Sequence, residues 1–153
     1  MGYALFTARK LSLTTRINTC NANLSINSEK ANALSNSIFA KQQKSALELF
    51  TANKNAYSIF EKTIKDAEEK NSGNDDAINN AMIKAQYTLQ KAMSAASQKQ
   101  TMSNIEIQQL SQQQNLLDQE RQSLQTQLTA YQNELTNVEK AEETAIKNST
   151  PKF

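Results

Sequence analysis

The sequence predicts an all-α fold, a long antiparallel helical hairpin that packs as a coiled coil and assembles further into a helical bundle or filament. Apolar side chains recur every seven residues at Leu110, Leu117, Leu124, Tyr131 and Val138. This is the spacing of a stripe that packs against a partner helix. The 153 residues include only two Gly and one Pro, so few positions favour a turn. One cluster of turn-forming residues lies near the middle of the chain, at 71–76.

The first helix is predicted over residues 4–70. Its apolar stripe alternates spacings of four and three at Leu13, Ile17, Cys20, Leu24, Asn27, Ala31, Leu34 and Ile38. Asn27 interrupts the apolar run, and one buried Asn at such a position fixes the register of a coiled coil. Cys20 is the single cysteine, so it has no disulfide partner within the chain and is interpreted as a small buried hydrophobe.

After Ile38 the stripe is expected to move by one position. Unchanged spacing would place Lys41, Ser45 and Glu48 inward, and burying polar groups is costly. The expected members of the shifted stripe are Phe39, Ala46, Phe50, Tyr57, Phe60, Ile64 and Ala67. Such a phase change locally relaxes or reverses the supercoil.

The predicted turn spans residues 71–76 and centres on Gly73. Gly73 can adopt the left-handed conformation that ends a helix, and Asn74 or Asp75 can cap the next helix. Acidic Asp75 and Asp76 suit the positive end of that helix.

The second helix is predicted over residues 77–148, because Pro151 stops a helix and disfavours helical angles in the residue before it. A reversal at Gly73 predicts four pairs of facing residues: Phe50 with Ala96, Tyr57 with Leu89, Ile64 with Met82, and Phe39 with Ile107. Large side chains opposite small ones fill a two-helix interface evenly. Near the chain ends, the same reversal predicts that basic residues approach acidic ones, namely Arg9, Lys10 and Arg16 with Glu134, Glu139, Glu142 and Glu143.

The expected contact surface between the two helices is called the seam. It contains Leu13, Ile17, Leu24, Leu34, Ile38, Phe50, Tyr57, Phe60, Leu89, Ile107, Leu110, Leu117, Leu124, Leu128, Tyr131, Leu135 and Val138.

The residue types give no support to catalysis, so no enzyme activity, cofactor or metal is expected. The chain has no His, which is the commonest general base and metal ligand. One Cys does not build a zinc site. No glycine-rich phosphate loop or nucleophile elbow is present, and a two-helix hairpin has no enclosed pocket.

The charge argues against nucleic acid as a partner, and the hydropathy argues against a membrane-spanning segment. The net charge is +2 and no basic stripe stands out. No apolar run approaches the length of a membrane span. The first eleven residues do not resemble a secretory signal, because their basic residues follow the apolar segment.

More apolar residues are present than one seam can bury, which predicts contacts with further copies of the chain. Several lie outside the expected stripe, including Leu47, Leu49, Ile59, Met93, Ile105, Leu116 and Ile146. The predicted self-assembly residues are Tyr3, Leu5, Phe6, Leu47, Leu116, Ile146 and Phe153.

The surface is rich in uncharged polar residues, as in Gln112-Gln113-Gln114-Asn115. Either such a surface is covered by neighbours, since uncharged groups cost less to desolvate, or it reflects the compositional bias of a genome.

With its paired terminal helices, the plan resembles flagellin cores and the needle and filament subunits of type III secretion systems. The resemblance covers the whole chain as a plan and no motif, so no functional residue is carried over, and Cys20 departs from it. It implies polymerisation, a location outside the cell or at its surface without a cleaved signal, and export machinery or a chaperone as partners.

Two other functions fit a helical hairpin. One is a cytoplasmic coiled-coil adaptor, spacer or prefoldin-like chaperone arm, although prefoldin subunits carry strand-rich turns and no alternating β pattern surrounds Gly73. The other is a phage structural or scaffolding protein, which shares the expectation of self-assembly.

Overall fold

The computed structural model describes residues 2–149, with side chains described from Tyr3 onward. Two helices, α1 (Gly2–Lys70) and α2 (Asp75–Ser149), account for nearly all of this range. They pack against each other as a hairpin, and no strand occurs in the described range. The predicted fold class is therefore confirmed, and the helix bounds differ from the prediction by only one or two residues.

The turn is built by Asn71, Gly73 and Asn74. The backbone amide of Asn71 donates to the carbonyl oxygen of Ala67 at 3.0 Å, and the backbone amide of Asn74 donates to the carbonyl oxygen of Asn71 at 2.8 Å. Gly73 has φ of 87°, a conformation that costs a residue with a side chain about 1–2 kcal/mol. The Oδ1 atom of Asn74 accepts a hydrogen bond from the amide of Ala77 at 3.2 Å, so Asn74 is the cap.

The contacts divide the hairpin into two compact units, and both helices contribute to each. The terminal unit consists of Met1–Ser35 and Gln112–Phe153, and the turn unit of Asn36–Ser111.

In the terminal unit the seam follows the predicted heptads. Leu13 is completely buried, Cys20 and Asn27 are nearly so, and Ile17 and Leu24 are half-buried between them. The α2 side of the seam is half-buried at the predicted positions, which are Leu117, Leu124, Leu128, Tyr131, Leu135 and Val138. A strict repeat of seven brings the same face of each helix to its partner.

Asn27 is held by the opposite helix. Its Nδ2 atom donates to the carbonyl oxygen of Leu117 at 2.9 Å and lies 3.5 Å from a carboxylate oxygen of Glu120. This buried amide has its hydrogen-bond partners in only one alignment of the two helices, so other alignments would leave it unpaired and are disfavoured. The thiol of Cys20 is also buried, 4.0 Å from the side-chain oxygen of Gln127.

In the turn unit the buried side chains are small. Ser45, Ala56, Ala67, Ala85 and Ala96 are each at most 8% exposed. Small side chains let two helix backbones approach closely, since the distance between helix axes depends on the residues at the contact.

The predicted shift of the α1 stripe is wrong between Phe39 and Tyr57. Phe39, Phe50 and Tyr57 are 60%, 66% and 48% exposed, and Ala46 is exposed as well. The inward positions follow the unshifted spacing as far as Ser45 and then drift by one residue, so that Leu49 replaces Glu48; they are Ile38, Lys41, Ser45, Leu49, Ala52 and Ala56. Near the turn, Phe60 and Ile64 are half-buried and Ala67 is buried, as predicted.

Helix continuity explains why the contact face does not move abruptly from Ile38 to Phe39. Moving the contact face from Ile38 to Phe39 rotates it by one residue, or about 100°, whereas α1 has no break between Gly2 and Lys70. Spacings of four from Lys41 to Leu49 advance the face gradually and place Leu49, not Glu48, toward α2. Consequently Ala96 lies beside Leu49 and Ala52, not opposite Phe50.

Lys41 tolerates its inward position because it has a partner on α2. Its ammonium group forms an ion pair with the carboxylate of Glu106. The aliphatic stem can cover the seam while the charged end stays in water. Phe39, predicted to face Ile107, is instead largely exposed.

Candidate functional site

One exposed stripe on α1 of the turn unit stands out and is called the second stripe. It comprises Phe39, Gln43, Ala46, Phe50, Asn53, Tyr57, Phe60 and Ile64. Their spacings alternate four and three, so they form a regular heptad pattern on one face of the helix. Between Ile38 and Ala56 the positions that face α2 are a different set, so α1 carries two stripes in this segment and only one of them faces α2.

The exposed part of the second stripe is aromatic. Phe39, Phe50 and Tyr57 are directed largely to solvent, and Leu47, 65% exposed, flanks them. Phe60 and Ile64 are half-buried where the two stripes converge near the turn. Single exposed apolar residues are ordinary on a protein surface, but large apolar residues that repeat along one helix face indicate an interaction surface.

The second stripe carries no charged residue. Lys54 and Glu61 flank it. Four other charges of α1 lie at spacings of four and fourteen, which place them together on the other side of the helix; they are Lys44, Glu48, Lys62 and Asp66. These four charges therefore lie away from the apolar surface of this α1 segment.

Asn53 occupies the centre of the second stripe and is half-buried. Its side-chain Oδ1 atom is shielded from solvent without a hydrogen-bond partner. A buried polar atom without a partner costs roughly 1–3 kcal/mol. The centre of the stripe thus carries an unused hydrogen-bond acceptor.

On α2 the exposed apolar residues are more scattered. Ile83, Tyr87, Met102 and Ile105 are exposed, but polar residues interrupt them, and an open groove beside Tyr87 is lined mainly by Gln90, Ser94 and Gln98. This face lacks the regular heptad spacing of the aromatic residues on α1.

The electrostatics of the turn unit centre on the Lys41–Glu106 ion pair. The hydrogen bond and the positive charge of Lys41 lower the pKa of the Glu106 carboxyl below its ordinary value. Both side chains are about half exposed, so solvent screens the pair and its role is mainly in alignment.

The terminal unit brings the beginning of α1 beside the end of α2. The hydroxyl of Tyr3 is hydrogen-bonded to the Ser149 hydroxyl at 2.8 Å. Arg9 pairs with Glu134 and Lys10 with Glu142, as the reversal at Gly73 predicts. Arg16 lies over the ring of Tyr131, 5.7 Å from its centroid.

The predicted self-assembly residues are mostly exposed. Tyr3, Leu5, Leu47, Leu116 and Ile146 are between 45% and 75% exposed. Phe6 is half-buried. Phe153 lies outside the described residues.

Within residues 2–149, no three metal-ligating side chains come together in a group that could hold an ion. A groove of the turn unit is lined largely by apolar groups such as Ala56, Phe60, Ala85, Leu89 and Ala92. Thr63, Lys84 and Thr88 also line it. No helix in the described range is long and apolar enough to cross a membrane.

The sequence pattern identifies the apolar residues of the second stripe, but the expected placement of Phe39, Phe50 and Tyr57 against α2 is wrong. Two signals could have separated the stripes. Ser45, Ala52 and Ala56 form a row of small residues one position away from the aromatic row, and Glu106 lies where a hairpin turning at Gly73 brings α2 beside Lys41.

No protein-family model, curated protein or solved structure matches the chain. The resemblance to flagellin and type III secretion subunits therefore stays a prediction about the plan of the molecule.

Proposed function

We propose that this chain is a structural subunit that assembles with copies of itself into a helical filament and has no enzymatic activity. The observation that carries the proposal is the distribution of its large apolar side chains. Leu13 is the only large side chain described as fully buried, whereas fifteen large hydrophobic residues are exposed. A hairpin that hides so little of its apolar surface is suited to contacts that cover the rest.

The paired chain ends are the proposed polymerisation surface. Leu5 and Leu11 are 75% and 67% exposed, and the Tyr3–Ser149 hydrogen bond holds the two helix ends together. Filaments grow when one patch of a subunit contacts a different patch on the next subunit, and the rotation between successive subunits does not close them into a ring. A pair of helix ends with exposed leucines can provide one of these patches.

The composition of the surface is compatible with close packing of subunits. The net charge of +2 gives little long-range repulsion between copies. Uncharged Gln, Asn, Ser and Thr side chains cost less to cover than charged ones.

Electron microscopy of the purified full-length chain tests the proposal directly. Negative-stain images over a range of protein concentrations should show filaments. In sedimentation experiments, the fraction of protein in large assemblies should rise with protein concentration. A variant carrying Leu5→Ser and Leu11→Ser should lose filaments while circular dichroism shows unchanged helix.

The matched control replaces exposed residues of the turn, for example Ser72→Ala, and should leave filaments intact. If the full-length chain stays monomeric or forms only small oligomers at high concentration, the filament proposal fails. The cytoplasmic adaptor function then becomes the better explanation of the hairpin.

The resemblance to exported subunits extends the proposal to a location outside the cell, with export machinery or a chaperone as partners. Fractionation of the producing cells tests this part separately. Finding the chain only in the cytoplasm would contradict export and leave self-assembly standing.

A further inference from the structure

We propose that the second stripe binds the same stripe of a second copy, with the two α1 helices antiparallel. The inference rests on the proposed function, self-assembly, and names one of its contacts. It places a two-fold dimer contact in the turn unit, distinct from the polymerisation surface at the chain ends.

The heptad pattern specifies that the missing partner is a helix. Phe39, Phe50 and Tyr57 recur at the spacing with which side chains insert between those of a facing helix. α2 already occupies the neighbouring face of α1, through Ser45 and Ala56. Two contact faces about a quarter-turn apart are the arrangement of a helix within a four-helix bundle.

The stripe is complementary to itself when reversed. A two-fold axis midway between Phe50 and Asn53 places Phe50 opposite Asn53 and Tyr57 opposite Ala46. The same axis places Ile64 opposite Phe39. Two of these three pairings set an aromatic ring against a small side chain, which is how two helices fill a shared interface.

A parallel pairing is less favourable for the same residues. It would place Phe50 opposite Phe50 and Tyr57 opposite Tyr57, while Ala46 would face only Ala46. Layers of two large rings would alternate with nearly empty layers, leaving voids.

Asn53 gains from the antiparallel arrangement. The two copies of Asn53 lie on either side of the two-fold axis, separated by about 5 Å along the helix direction at 1.5 Å per residue. After rotation of the side chains, the amide of one copy can donate to the acceptor of the other, which has no partner in the single hairpin. A polar pair at one position of a helical interface also selects the register.

Charge and area both fit a second copy of the chain. No like charges meet across the stripe, because none of its residues is charged. The exposed parts of Phe39, Leu47, Phe50 and Tyr57 amount to roughly 450 Å² per copy, taking about 200 Å² for each full side chain. Two copies thus cover roughly 900 Å², and the flanking side chains bring the total toward the lower range of specific interfaces, about 1,200 Å².

Analytical ultracentrifugation of the full-length chain with Phe50→Ser tests the contact. Phe50 is exposed in the hairpin, so the variant should keep its helix content while its dimer dissociation constant rises by about thirtyfold or more, as for a central interface aromatic. The matched control is Tyr87→Ser, which removes a similarly exposed ring from α2 and should leave the constant within about twofold. Equal effects of both substitutions would overturn the proposal.

Spin-label distances test the orientation. With Cys20→Ala as background, a label at Ala40→Cys should lie about 35 Å from its counterpart in the antiparallel dimer, from 1.5 Å per residue. A distance near 10–15 Å would show a parallel pair and overturn the arrangement.

The two proposals fail in different ways. Filaments that persist in Phe50→Ser with an unchanged dimer constant overturn the stripe contact and leave the filament standing. A dimer that responds to Phe50→Ser but never polymerises supports the stripe contact and ends the filament proposal. A chain that is monomeric at all concentrations overturns both, and the stripe is then a binding face for a different protein.

Discussion

Replacing Leu13 by Ala should destabilise the hairpin far more than replacing Leu11 by Ala. Leu13 has no exposed surface, whereas Leu11, two positions away on the same helix, is 67% exposed. Truncating a fully buried Leu costs about 2–5 kcal/mol. Leu11 contributes only the third of its surface that is covered, so its loss should cost less than about 1 kcal/mol.

Thermal unfolding followed by circular dichroism at 222 nm measures the difference. For a chain of this size, each kcal/mol shifts the thermal midpoint by about 2–4 °C, so Leu13→Ala should lower the midpoint by about 4–20 °C and Leu11→Ala by less than about 4 °C. Both variants must be compared at one low protein concentration, because self-association adds to apparent stability. Equal losses at the two positions would refute the register of α1 in the terminal unit.

The remaining predictions concern the turn, one ion pair and the buried amide. Gly73→Ala should lower the free energy of unfolding, measured in urea, by about 1–2 kcal/mol, because alanine is strained at positive φ. Gly73→Asn should lower it less, because Asn tolerates this conformation better and a Cβ at this position meets nothing within 4 Å. Equal losses for the two substitutions would point to a steric cause. The pKa of Glu106 is lowered by Lys41, so their pairing stabilises the fold above the ordinary value of 4.5 and this contribution disappears as pH falls through the lowered pKa. The stability difference between the unsubstituted chain and Glu106→Gln should therefore shrink below pH 4.5, and a difference that grows with acid would contradict the ion pair. Asn27→Leu should raise or preserve stability but broaden spin-label distances between the helices, because the hydrogen bond that selects one alignment is lost; distances as narrow as before would show that other residues set the register.

Sequence patterns predict this fold well wherever each helix has a single stripe. In the terminal unit, the heptads around Leu13 and Leu124 leave one face to bury, and that face is the buried one. The turn is equally local, since Gly73 and Asn74 have conformational and capping preferences that depend on few neighbours.

The candidate site depended on the tertiary structure. Between residues 38 and 67, α1 carries two stripes one position apart, one of small residues such as Ser45 and Ala56 and one of aromatics such as Phe50. Periodicity identifies both and does not say which of them faces α2. The choice follows from an unbroken helix that does not rotate its contact face by a full residue, from the close approach that small side chains permit, and from the Glu106 carboxylate that accepts Lys41. The sequence by itself thus determined the helices, the turn and the terminal seam, whereas packing of the two helices decided that the aromatic stripe remains exposed.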